Sequence, residues 1–132
     1  DNIFDGGNMK IIIPSIDEII EINKKVGGET ISRGDLEFLI TKIESKYADK
    51  DLKKQMAKIA AILWMDIIQK HPFIDGNKRT ATEAVMLFLQ KNNFALETPL
   101  AGKVYVSLSI ANNETRYEEL VKWIYDRLKE VK

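Results

Sequence analysis

One stretch of this sequence gathers the side chains that chemistry at phosphorus requires: His71-Pro72-Phe73-Ile74-Asp75-Gly76-Asn77-Lys78-Arg79. Imidazole exchanges protons near neutral pH, so His71 can take the proton of an attacking hydroxyl. Asp75 is a hard oxygen ligand, the kind Mg²⁺ takes beside phosphate oxygens. Arg79 can grip a phosphoryl group through two parallel hydrogen bonds, and Lys78 adds a second positive charge. Gly76 lets the backbone approach a bound group closely; Asn77 can shape the turn or donate to phosphate. Each residue also has a plainer role. His71 could cap the last carbonyls of a helix, and Asp75 or Asn77 could be an N-cap. Pro72 and Phe73 read as residues that aim and anchor the turn.

The flanking elements must hold this loop. Pro72 biases its predecessor away from helical backbone, so the upstream helix should end near His71. That helix, Asp51 to about Lys70, carries Leu52, Met56, Ile59, Ala60, Leu63 and Ile67 at three- and four-residue spacing. Trp64 and Ile68 widen the apolar face until it nearly encircles the helix, which predicts the central, most buried element. The downstream helix, Asn77 to about Lys91, buries Ala81, Ala84, Val85, Phe88 and Leu89. A turn that opens a helix aims several unpartnered amides at one point, and such a point binds anions. Lys78 and Arg79 sit unfavourably at the positive end of a helix dipole unless a negative ligand lies there.

Elsewhere the chain reads as further helices. Lys10 to Ile13 is a short extended apolar run stopped by Pro14. Ser15-Ile16-Asp17-Glu18 is a capping box that opens a helix lasting to about Val26 and ending at Gly27-Gly28. Its apolar stripe is Ile16, Ile19, Ile20 and Ile22. Glu29 to Gly34 connects to a helix over Asp35 to Tyr47 that uses Leu36, Leu39, Ile40 and Ile43 as its inner face. Phe94 to Pro99 reads as extended or irregular. Gly102 to Asn113 fits both periods but lacks an evident partner strand, so a fifth helix is expected. Thr115-Arg116-Tyr117-Glu118 is read as a second capping box, opening a last helix that runs through Leu128 and Val131. The fold class expected is all-α: one domain over 9–132, a bundle of about six helices behind a short N-terminal extended segment. Residues 1–8 are read as a tag or leader remnant and left out of this fold reading.

Composition narrows the function classes. Lys plus Arg and Asp plus Glu both number 20, so no net charge recruits nucleic acid or an anionic membrane. With no cysteine, disulfides and thiolate metal sites are excluded; a cytoplasmic protein fits that. The longest apolar run, Ile59 to Met65, is stopped by Asp66, far short of a membrane span. Neither a P-loop, a kinase Gly-rich loop nor a His-Glu-x-x-His zinc motif occurs.

The loop resembles the signature of the Fic/Doc family, His-Pro-Phe-x-x-Gly-Asn-x-Arg, and meets each fixed position of it. The resemblance covers most of the chain from about Ile13, including Arg33-Gly34-Asp35-Leu36-Glu37. It implies an all-α fold, ATP as a substrate with Mg²⁺, His71 as the base, and Asp75 as the metal ligand. It also implies that Gly76, Asn77, Lys78 and Arg79 bind the nucleotide's phosphates. Two departures separate it from AMP-transferring Fic enzymes. Lys78 stands where they usually have Gly, and Thr82 where they carry a second Arg. The run Asn77-Lys78-Arg79-Thr80-Ala81 is similar to the Doc, or death-on-curing, branch of toxin–antitoxin pairs. That branch implies transfer of the γ-phosphate of ATP to a protein hydroxyl, with elongation factor Tu as target, and inhibition by a separately encoded antitoxin. In keeping with restraint in trans, no Glu is followed by Gly or Asn, as the self-inhibiting Fic helix would need. Pro72 and Gly76 look more Fic-like and keep AMP transfer open, and a non-catalytic binding module stands as a third reading. The resemblance also implies a second role for Glu29 to Gly34, as a flap that pairs with the target's backbone.

Overall fold

The computed structural model describes residues 2–6, 9–30, 32–46 and 49–131. In chain order the elements are β1 (Asn2–Gly6), β2 (Met9–Ile13), α1 (Ile16–Lys25), α2 (Arg33–Lys46), α3 (Leu52–Lys70), α4 (Asn77–Lys91), β3 (Phe94–Leu96), α5 (Leu100–Ala111), α6 (Tyr117–Tyr125) and β4 (Leu128–Glu130). It is a mostly helical bundle with two small two-stranded antiparallel sheets, β1-β2 and β3-β4.

The bundle is built around α3. From Gln55 to Ile68 all of its residues are buried except Lys58, which is half-buried. Such a run is stable only when every side of the helix is covered. Its main neighbours are α4 and α6, with α2 and α5 completing the shell. Ala60 and Ala61 of α3 and Ala81 and Ala84 of α4 are fully buried, and small side chains let two helix axes approach closely. Trp64 lies in the centre, edge-on to Trp123 with ring centroids 6.3 Å apart. Its indole N–H donates to Ser107 Oγ at 3.0 Å. Asp66, which interrupts the apolar run of α3, is matched by Lys42 of α2 at 2.7 Å.

Local sequence accounts for the helix ends. Ser15 Oγ accepts from the Glu18 N–H at 3.1 Å and Glu18 accepts from the Ser15 N–H at 2.9 Å, completing the expected capping box. The Asp51 carboxylate caps α3 by accepting from the Lys53 N–H at 3.0 Å. The fifth helix is present as read, from Leu100 to Ala111.

Three expectations are corrected. The last helix does not run on to Val131: it stops at Tyr125, and Leu128–Glu130 pairs with Phe94–Leu96 in the register Phe94↔Glu130, Ala95↔Lys129 and Leu96↔Leu128. Leu128 continues the helical spacing of Leu120 and Ile124, but it fits a strand equally well. Backbone bonds from Glu97 N–H to Arg127 O (2.7 Å) and from Val131 N–H to Asn93 O (2.8 Å) decide the matter. The capping motif of this helix lies one residue later than expected, since Glu119, not Glu118, accepts from the Arg116 N–H. Leu52, placed on the inner face of α3, is exposed in its first turn. The stretch set aside at the start supplies β1, paired with β2 from Asn2↔Ile13 to Gly6↔Met9. In turn β2 is fastened to the end of α4. The Asn92 side chain accepts from the Ile12 N–H at 2.9 Å and donates to Ile12 O at 2.8 Å. Among the described residues no helix is long and apolar enough to cross a membrane.

Candidate active site

The loop between α3 and α4 begins at an unusual backbone position. His71 ends α3 in the left-handed conformation, φ 51° and ψ 56°, which costs a non-glycine residue about 1–2 kcal/mol. The turn swings the imidazole out to solvent, where it makes no hydrogen bond or ion pair among the described residues. It therefore does not cap the carbonyls of α3. Pro72 and Phe73 turn back into the protein, and Phe73 is only 1% exposed. Burying one such ring stabilises the loop by about 1.5–3 kcal/mol, offsetting the strain at His71.

The Asn77 side chain then closes the loop. Its Nδ2 donates to Phe73 O at 2.8 Å and its Oδ1 accepts from the Phe73 N–H at 3.2 Å. Both functions of the amide are thereby spent on the backbone. Of the two roles open for Asn77, shaping the turn is the one observed here. Asp75 is not the cap of α4; its Oδ1 accepts from the adjacent Gly76 N–H at 2.8 Å. Gly76 occupies the N-cap position at φ 75°, with no side chain to cap the helix. A Cβ there would lie 2.7 Å from Cγ2 of Val26, the C-cap of α1, so the position needs glycine both for its φ and for its space.

The first intrahelical bond of α4 is Thr80 N–H to Gly76 O, at 2.8 Å. The amides of Asn77, Lys78 and Arg79 precede it, and this uncapped end carries the positive pole of a long helix. His71, Asp75, Gly76, Asn77, Lys78 and Arg79, with Ile68, Ile74 and Ala111, wall a hollow of about 370 Å³. All six predicted site residues are thus brought together on one open face. Lys78 and Arg79 are exposed and make no ion pair among the described residues. Glu83, one turn further along α4, makes no ion pair with Arg79 among the described residues. The arrangement is an uncompensated cationic pocket with one carboxylate at its rim, suited to a polyphosphate.

Sequence reasoning missed the supports behind this face. The Thr82 hydroxyl donates to Lys78 O at 3.1 Å and shares a 2.9 Å hydrogen bond with Ser107 Oγ. Through Ser107 it reaches Trp64, so the first turn of α4 is tied to α5 and α3. The connection after α1 also contacts the loop directly. Thr30 forms an antiparallel bridge with Phe73, flanked by Ile74 N–H to Glu29 O at 2.9 Å and Ser32 N–H to Pro72 O at 3.0 Å. In that pairing the N–H and C=O of Thr30 itself turn outward. No periodic signal marks either support, since both depend on partners far away in sequence.

The sequence model of the Fic/DOC family matches residues 14–89, more than half of the 132-residue chain. The chain belongs to the Fic/DOC family. Neither the curated proteins nor the solved structures contain a significant match. The matched span runs from Pro14, just before α1, to Leu89 in α4, so it includes the whole signature loop and the connection bridged to it. Members of the Fic/DOC family are typically transferases that move AMP or phosphoryl groups.

Proposed function

We propose that this Fic/DOC protein is a Doc-type kinase: it transfers the γ-phosphoryl group of ATP to a Ser, Thr or Tyr hydroxyl of a protein. The observation that carries the reading is the hollow that His71 lines together with Lys78, Arg79 and the free end of α4. His71 takes the proton of the target hydroxyl as its oxygen attacks the γ-phosphorus. The bond between that phosphorus and the β,γ-bridging oxygen breaks, and ADP leaves with the electron pair. Arg79 and the amides of Asn77 and Lys78 hold the equatorial oxygens, whose charge is most exposed in the transition state.

Asp75 fits Mg²⁺ as a single carboxylate with one oxygen free of protein bonds, and Mg²⁺ commonly needs no more beside phosphate oxygens. Bound there, the ion would neutralise charge on the phosphates.

The residue type at position 82 supports γ-transfer over AMP transfer. Thr82 has no guanidinium to hold the far phosphates, and its hydroxyl is engaged by Lys78 and Ser107. The outward edge of Thr30 supports the flap role, in which a target strand adds to this backbone. By resemblance the target is elongation factor Tu, and restraint comes from a separately encoded antitoxin in the same cytoplasm.

Incubation with lysate, Mg²⁺ and ATP labelled at the α or the γ position tests the reading. Label from γ alone supports it, and label from α assigns AMP transfer instead. If neither label is transferred while nucleotide still binds, and the binding is unchanged in His71→Ala, the protein is a binding module.

A further inference from the structure

The turn at Asp75-Gly76 is held from behind by a buried amide that the chemistry above does not use. Asn23, in the last turn of α1, is 1% exposed. Its Nδ2 donates to Asp75 O at 2.9 Å and to Thr80 Oγ1 at 3.0 Å. Its Oδ1 is buried and has no partner. An orphaned buried acceptor is a standing cost, so the amide is at this position for its donors.

We propose that Asn23 is a positioning residue that fixes the direction of the phosphate-binding amides. The carbonyl and the N–H of a trans peptide point in opposite directions. Holding the Asp75 carbonyl back toward α1 turns the Gly76 N–H forward, to the side where Asp75 Oδ1 now accepts it. Without the bond from Asn23, the Asp75-Gly76 peptide would be free to rotate, and the N-terminal amides of α4 would lose their common aim. The amide of Asn23 is itself confined. Val26, the C-cap of α1, leaves no room for a Cβ at Gly76, and a Cβ at Gly28 would collide with the Asn23 side-chain amide. Gly28 N–H also donates to Asn23 O at 3.0 Å, which keeps the two residues in register. The bond to Asp75 O acts on the loop, whereas the bond to Thr80 acts inside α4. The two can therefore be separated.

The inference rests on reading the hollow as a phosphate site, and the test keeps the two apart. Asn23→Leu keeps the branched shape and adds no charge but removes both donors. Gly28→Ala displaces the amide without altering it. Thr80→Val removes only the inner bond. Calorimetric titration with Mg·ATP should show binding about tenfold weaker in Asn23→Leu and Gly28→Ala, the scale of one lost orienting hydrogen bond, and within about twofold of wild type in Thr80→Val. In ligand-free protein the Gly76 amide resonance should move in the first two variants and stay in the third. Wild-type Mg·ATP binding in both Asn23→Leu and Gly28→Ala would overturn the assignment, as would equal weakening in Thr80→Val. Should Asn23→Leu fail to fold, Gly28→Ala decides alone. Absence of Mg·ATP binding in wild type would instead overturn the nucleotide reading, with the ligand-free Gly76 resonance still deciding the role of Asn23.

Discussion

Replacing His71 by glycine should make the protein more stable and inactive at once. His71 is held at φ 51°, where a side chain costs about 1–2 kcal/mol and glycine costs nothing. Glycine gives back about 0.4–1 kcal/mol through the greater freedom of the unfolded chain. The imidazole contributes no hydrogen bond among the described residues that would be lost. The net gain is about 0.5–1 kcal/mol over wild type, and the same over His71→Ala, which keeps the left-handed penalty. With a urea slope of about 1–3 kcal/mol/M for a protein of this size, the midpoint rises by about 0.5 M. Loss of a general base lowers transfer by about 10²–10⁴-fold, so both variants should be equally poor enzymes. A His71→Gly protein no more stable than His71→Ala would refute the strain argument. One that retained phosphoryl transfer within about threefold of wild type would refute the assignment of the base.

Three further outcomes follow from particular contacts. Gln55 is fully buried in α3 with neither amide atom partnered, so Gln55→Met, of nearly the same shape, should raise stability by about 1–3 kcal/mol in thermal or urea unfolding. Gly76→Ala should lower stability and abolish Mg·ATP binding together, because its Cβ meets Val26 Cγ2; adding Val26→Ala should recover part of the stability, read by circular dichroism, while the strain at φ 75° remains. The hydrogen bond from Lys58 (2.8 Å) and that from the Asp51 N–H hold Asp49 below the ordinary aspartate value of 3.8. A lowered carboxyl adds stability above that value, and the stability is lost as pH falls through the folded-state value. Asp49→Asn should therefore lose less stability than wild type below about pH 4, in urea midpoints measured down the acid range.

The parts of the fold that were legible in the sequence are those whose cause is local. The buried stripe of α3 and the Ser15–Glu18 cap each lie within a few residues of their own explanation. So do the proline and glycine that bracket the loop, and the site residues sit side by side within that loop. What escaped depends on distant partners. Leu128 follows Leu120 and Ile124 at helical spacing, and only Phe94–Leu96, more than thirty residues earlier, makes it a strand. Asn23 looks like any polar residue near the end of an amphipathic helix until Asp75 and Thr80 are placed beside it. Asp66 reads as a break in an apolar run, and its reason is Lys42 on another helix. In the sequence Thr82 signals only a missing arginine, whereas its hydroxyl has a task of its own at Ser107.

The chain from Lys78 O through Thr82 and Ser107 to the Trp64 indole gives the molecule a built-in optical gauge. A ligand that shifts the opening turn of α4 must strain or relax the hydrogen bond on that indole, and indole emission changes colour with the polarity of its N–H partner. With Trp123 replaced by Phe to remove its edge-on neighbour, the fluorescence of Trp64 should report occupancy of the hollow in unlabelled protein.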